Sequence, residues 1–170
     1  MALTAAQKAT IKADILADGT LNAQPNNSDG AFAIAAAYNL AAAVDFWVWR
    51  TAVDKKEFTN QTSQDGTNFT WVGNGFITRS AGEQTAWAEL FNSTHQVNAS
   101  LPNVRQAFSD IFSGTGNAAA NRTHMMSIAR RKATRIEKLL ATGTGSTASP
   151  GVMGFEGDIS YQDVGEARNS

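Results

Sequence analysis

TGTGSTASPGVMGFEGDISYQDV, residues 142–164, is the stretch on which the reading of this chain turns. Its first ten residues, Thr142–Gly151, hold only Thr, Gly, Ser, Ala and Pro, the composition of a flexible linker. Behind them Phe155, Gly157, Ile159 and Tyr161 alternate with Glu156, Asp158, Ser160 and Gln162. That period of two predicts a strand with one apolar and one acidic edge. No hairpin partner adjoins it in sequence. A lone strand on a leash folds back onto its own sheet or adds to the edge of another molecule's sheet, where backbone hydrogen bonds supply affinity. The body offers few strands to receive it, so the spacing favours an interaction arm over 152–170, anchored by Phe155, Gly157, Ile159, Tyr161 and Val164. The linker is 143–151.

Outward from the arm, residues 1–142 read as a mainly α body of about five helices. Thr4 with Gln7 forms a capping box ahead of a helix over 5–17, with Ile11, Ile15 and Leu16 inward. The turn cluster at 24–30 precedes a small-residue helix reaching about Ala43. Ser80 with Glu83 is a second capping box, opening a helix from 81 to about 97. Pro102 sits in the first turn of another helix, striped by Val104, Phe108, Ile111 and Phe112. The longest predicted helix runs from about Ala118 to Ala141. Between them, 46–79 reads as a β insertion. Phe46–Val53 is aromatic and β-branched, residues 54–66 are polar and loop-like, and Asn74-Gly75 between apolar flanks predicts a hairpin.

Composition narrows the function classes. The 170 residues include 29 alanines, so only about a quarter of the chain is large and apolar. Burial stabilises by about 25 cal/mol per Å² of apolar surface, so this supply points to a protein completed by assembly. Fourteen basic against fifteen acidic side chains give no global footprint for nucleic acid or anionic membrane. No apolar run reaches the length of a membrane span, and the opening residues lack the pattern of a secretory signal. The absence of cysteine excludes disulfides, thiolate metal sites and cysteine nucleophiles. Six N-x-S/T sequons read as chance matches among abundant Asn and Thr.

Four constellations carry candidate chemistry. Arg122, Arg130, Arg131, Lys132, Arg135 and Lys138 against Glu137 give the long helix a local net charge of +5. Such a face contacts DNA phosphates or an acidic partner, or is simply solvated. Gly114-Thr115-Gly116-Asn117-Ala118-Ala119 matches a relaxed dinucleotide fingerprint, but helical periodicity precedes it, so the glycines read as a helix stop and start. His95 and His124 have no metal-ligand spacing, and no nucleophile motif is present; neither an enzyme nor a cofactor is expected. Trp47 and Trp49 share one side of a strand and, with Trp71, are expected at a packing or subunit interface rather than on a sugar.

Two strings at the ends of the chain resemble small virion proteins of tailed bacteriophages. They are ALTAAQKATIKADI with NAQPNNSDGAFAIAAAYNL at the start and RIEKLLATGTGSTASPGVMGFEGDISYQDVGEARN at the close. The likeness covers about half the chain and fades through 54–80. Among such proteins the head–tail adaptor fits the sequence best. That resemblance implies a helical subunit repeated about a dozen times in a twelve-fold ring beneath the portal protein. It also implies a C-terminal extension inserted among portal subunits, docking to tail or neck proteins, and DNA passing through the channel without sequence-specific binding. The implied location is the virion neck, after synthesis in the bacterial cytoplasm, with no membrane partner. The alternatives are a head-decoration protein, a tail-terminator or tail-tube subunit, and a DNA-packaging accessory using the 122–138 helix.

Overall fold

The computed structural model describes residues 2–92 and 94–170. The fold is mainly helical, with α1 (Ala5–Ala17), α2 (Gly19–Asn22), α3 (Ser28–Asn39), α4 (Lys55–Asn60), α5 (Ala81–Glu89), α6 (Pro102–Ile111), α7 (Asn117–Ile128), α8 (Arg135–Leu140) and α9 (Tyr161–Asn169). Short strands β1 (Trp47–Trp49) and β4 (Arg130–Lys132) make one two-stranded sheet, and β2 (Val53–Asp54) and β3 (Gln96–Val97) make another. The chain divides into two units. Unit 1 is Met1–Val48 with Lys132–Ser170, and unit 2 is Trp49–Arg131. The chain leaves unit 1 within β1 and returns within β4.

Unit 1 forms where both ends of the chain meet. α9 lies against α1 and α3, and α8 packs on the same two helices. The shared core holds Ile11, Ile15, Leu21, Ile34, Tyr38, Ile136, Phe155, Ile159, Val164 and Ala167. The expected extended β arm is therefore corrected. Residues 161–169 are helical, and Phe155, Ile159 and Val164 are buried in the unit's own core. Ser160 accepts from the Asp163 N–H while Asp163 accepts from the Ser160 N–H, a capping box that starts α9. Tyr161, Val164 and Ala167 then follow at helical spacing, which overrides the alternation read over 155–162.

The return path is secured by side chains. Gly154 O accepts from Gln7 Nε2 at 2.7 Å, and the Gly157 N–H donates to Glu137 Oε1 at 3.0 Å. Ile159 exchanges both backbone groups with the Asn39 amide at 2.9 and 3.0 Å. Lys8 pairs with Glu166 at 2.6 Å, joining α9 to α1. Residues 143–151, expected as a linker, are tied at their ends. Thr142 and Val152 exchange backbone hydrogen bonds at 2.9 Å each, closing a loop at its neck. Gly145 O accepts from Trp47 N–H at 2.7 Å, and Gly151 N–H donates to Trp47 O at 2.8 Å. A Cβ on Gly145 would stand 2.1 Å from the Phe46 ring, so its glycine makes room for that aromatic as well as for its positive φ. Within 143–151 only Gly145, Pro150 and Gly151 are buried, and the other residues are exposed.

Unit 2 has an aromatic core. Phe58 meets Trp87, Phe91 and Phe108 edge-on at centroid distances of 6.4, 5.9 and 5.3 Å, and Phe69 stacks on Trp87 at 5.9 Å. The expected strand over 46–53 survives only as β1 and β2, and 54–66 contains α4, opened by an Asp54–Glu57 capping box. The hairpin expected at Asn74-Gly75 is absent: Gly73–Gly75 is a single turn of 3-10 helix. α7 supplies the hydrogen bonds a partner strand would have made. Asn121 accepts from Thr70 N–H at 2.8 Å and donates to Thr70 O and Gly75 O at 2.9 and 3.0 Å. Asn117 donates to Val72 O at 3.0 Å, and Asn74 donates to Thr115 O at 2.8 Å. Asparagine side chains, of which Asn121 is fully buried, thus satisfy this backbone in place of a ladder.

The single long helix expected over 118–141 is two. α7 ends at Ile128, Arg130–Lys132 are extended as β4, and Thr134 with Glu137 caps α8 afresh. α5 ends at Glu89, short of the expected 97. The Gly114–Ala119 glycines do separate two helices, both with positive φ.

Candidate functional site

The break in the long helix divides the predicted basic residues among α7, β4 and α8. In unit 2, Arg122 donates to Phe112 O and to Gly114 O, closing the C-terminal end of α6. Arg130 pairs with Asp65 at 2.5 Å with its side chain 13% exposed, and Arg131 follows it, half-buried, in β4. In unit 1, Lys132 pairs with Asp45 at 2.8 Å and lies over the Trp47 ring. Arg135 binds Asp14 and Asp18, each at 2.9 Å. Lys138 makes only a long 3.4 Å contact to Val44 O among the described residues.

Trp47 and Trp49 flank buried Val48 in β1, on the same side of the strand as expected. Trp47 is half-buried in unit 1, and Trp49 is half-buried in unit 2 beneath the Arg105 guanidinium, 4.6 Å from its ring centre. Burial lowers the Arg105 pKa from its ordinary value. Trp71 is 43% exposed. Of the residues expected on an arm, Tyr161 stacks on Phe32 at 4.0 Å, and Gly157 turns with φ of 99°.

Tertiary structure assembles a charge cluster that the sequence reading missed. Tyr38 is buried and donates its hydroxyl to Asp14 Oδ2 at 2.9 Å, while Arg135 lies over its ring at 5.1 Å. Burial, then the hydrogen bond to the Asp14 carboxylate, pushes the Tyr38 phenol far above its usual range. The Leu21 N–H and then Arg135 hold the Asp18 carboxyl below the ordinary value. The paired aspartates raise the Arg135 pKa against the opposing effect of its burial. Asp14 and Asp18 are one helical turn apart in sequence, but nothing local marks Arg135 as their partner.

Beside this cluster a pocket of about 300 Å³ opens, lined by Asp14, Ala42, Ala43, Val44, Arg135, Lys138 and Leu139. Its apolar wall continues to the surface: Val44 is 72% exposed and nearby Leu40 is 67% exposed. A concave apolar surface with a few placed charges is the usual form of a recognition site. In unit 2, Trp71, Val72 and Ile77 of the 71–77 loop are all exposed. His124, buried on α7, is structural. Its Nε2–H donates to Phe58 O at 2.7 Å, and Nδ1 is hydrogen-bonded to the Thr67 hydroxyl at 3.1 Å. Among the described residues no three His, Asp or Glu side chains are grouped to hold a metal ion, and no helix is long and apolar enough to cross a membrane.

No family model, no curated protein and no solved structure matches this chain.

Proposed function

We propose that this chain is a structural protein of a tailed-bacteriophage virion, a head–tail adaptor that assembles as a ring beneath the portal and continues the DNA channel towards the tail. The observation that carries this reading joins sequence to fold. The two terminal strings that resemble phage virion proteins, 2–15 with 22–40 and 135–169, fall in the same unit although nearly a hundred residues separate them. The region where the resemblance fades, 54–80, lies in the other unit. On this reading unit 1 is the adaptor body and unit 2 is an insertion facing a neighbour or the tail. Portal docking uses the folded surface of unit 1, because a released arm would expose Phe155, Ile159 and Val164 to water.

The test is copy number in purified virions, measured by quantitative peptide mass spectrometry against the portal protein. About one copy per portal subunit supports the adaptor ring. Hundreds of copies move the protein to the capsid surface or tail tube, and absence from the particle overturns the structural reading.

A further inference from the structure

Unit 2 holds a hollow of its own, of about 310 Å³. Its lining comes from Ser109 of α6, from Arg122, Thr123 and Met126 of α7, and from the Asp65–Arg130 ion pair. Apart from Met126, every one of these side chains is polar or charged.

The charges in this lining do not cancel. Asp65 is taken by Arg130, which it meets at 2.5 Å. Arg122 has no carboxylate partner among the described residues; its hydrogen bonds run from Nη1 to Phe112 O and Gly114 O. Carbonyl oxygens carry no net charge, so they hold the guanidinium still without neutralising it. An arginine fork carries five N–H donors, and those on Nη2 and Nε of Arg122 are not used by any described residue. A fixed cation with donors to spare is prepared for an anion, and the planar fork matches the oxygen spacing of a phosphate.

Two hydroxyls share the hollow. Thr123 and Ser109 each donate to the carbonyl one turn back in the chain, Ala119 O at 3.2 Å and Arg105 O at 3.4 Å. Both bonds are long for a hydroxyl donor, so turning towards a better acceptor costs little. A carboxylate is planar and offers two oxygens. Two guanidinium groups and two hydroxyls around one hollow suit a tetrahedral group with more oxygens.

We propose that this pocket binds a phosphate group, with Arg122 as its charged ligand and Ser109 and Thr123 as hydroxyl donors. Arg130 contributes by keeping the Asp65 carboxylate from opposing the anion. The site belongs to unit 2 alone and goes beyond the adaptor reading, since phosphate binding neither requires nor follows from a place in the virion. The phosphate arrives as the free inorganic anion or as the backbone diester of DNA, and the same donors recognise both.

The test is a titration of the isotope-labelled full chain with inorganic phosphate, at constant pH and with ionic strength held by chloride. The Arg122 Nε–H signal and the backbone amides of Ser109 and Thr123 are followed by NMR. Saturable shifts there, absent at Arg168 of unit 1, are expected with a Kd of about 1 mM or tighter. Arg122→Gln should weaken binding by about tenfold or more, the loss of a charge-assisted hydrogen bond. That change also frees two carbonyls at the end of α6, so the double variant Ser109→Ala, Thr123→Val keeps Arg122 and removes only the hydroxyls. It should weaken binding by about threefold to tenfold with the remaining amide signals in place. Shifts that do not saturate, an equal response at Arg168, or affinity unchanged in either variant overturns the proposal. A short single-stranded DNA then separates the two sources. Movement of the same Arg122 signal assigns the site to the diester, and a response to inorganic phosphate alone assigns it to the free anion.

Discussion

Unit 2 draws its core from one continuous stretch, 53–129, whereas unit 1 needs Leu3 near one end of the chain and Ala167 near the other. The materials differ too. Six aromatic rings, those of Phe58, Phe69, Trp87, Phe91, Phe108 and Phe112, dominate the buried core of unit 2. Unit 1 relies on alanine, isoleucine and leucine around Tyr38, with the side-chain ties from Gln7, Asn39 and Glu137 fixing the returning segment. Aromatic rings bury much area per residue and prefer defined edge-to-face geometries. Alanine-rich helices gain less from burial and depend more on every segment being present. The difference teaches that the thin apolar supply of this chain is unevenly spent. Unit 1, whose strings resemble phage proteins, is closed only by its last helix.

That contrast can be broken most forcefully by removing residues 161–170. The deletion takes away Val164 and Ala167, both fully buried, together with the ring of Tyr161. The expected loss exceeds the ~2–5 kcal/mol of a single large core truncation and unfolds unit 1. Hydrogen exchange should show the amides of α1 and α3 unprotected. If those amides keep their protection, the dependence of unit 1 on its tail is wrong.

Phe58→Ala strikes the other core. It removes the ring that meets Trp87, Phe91 and Phe108, for an expected cost of about 3–5 kcal/mol. Tryptophan fluorescence from buried Trp87 during urea unfolding would report it. A shift below 1 kcal/mol would mean that the aromatic cluster relaxes around the gap.

Asn121→Ala is a smaller, more local change. It strips partners from Thr70 N–H, Thr70 O and Gly75 O, leaving backbone groups unsatisfied at about 1–3 kcal/mol. It should also loosen the 71–77 loop, visible as faster exchange of the Gly75 and Ile77 amides.

The finest comparison is in pH. Both units have a carboxylate held below its ordinary pKa, Asp18 in unit 1 and Glu83 in unit 2, the latter chiefly by the Ser80 hydroxyl and N–H. Each contributes stability that is present above the unfolded carboxyl value, about 4, and lost as pH falls through the lower folded value. Tyr38 adds a dependence of opposite sign to unit 1. Its raised folded pKa contributes stability below the unfolded phenol value, about 10, and that stability is lost as pH rises beyond it. Melting curves should show Asp18→Asn flattening the acid limb and Tyr38→Phe flattening the alkaline limb. An alkaline limb unchanged by Tyr38→Phe would assign it to another group.

Local signals were legible wherever the chain caps itself. The Thr4–Gln7 and Ser80–Glu83 boxes correctly mark the starts of α1 and α5, and Pro102 marks α6. The same signal stood unread at Asp54–Glu57, Thr134–Glu137 and Ser160–Asp163, and each miss hid a helix start, those of α4, α8 and α9. The charge cluster was less accessible. Arg135 lies more than a hundred residues beyond Asp14 and Asp18, so no spacing rule connects them.

By itself the sequence determined a mainly helical protein, because alanine propensity, caps and apolar spacing act over a few residues and need no distant partner. Only tertiary structure decided whether 155–164 was an arm or a core segment, since alternation and helical spacing coexist there and burial against α1 and α3 selects the second. The same holds at Asn74-Gly75, where the asparagines of α7 satisfy the backbone and remove the need for a paired strand. Local chemistry offers a short list of conformations; the choice falls to whichever one satisfies its polar groups and buries its apolar ones against the rest of the chain.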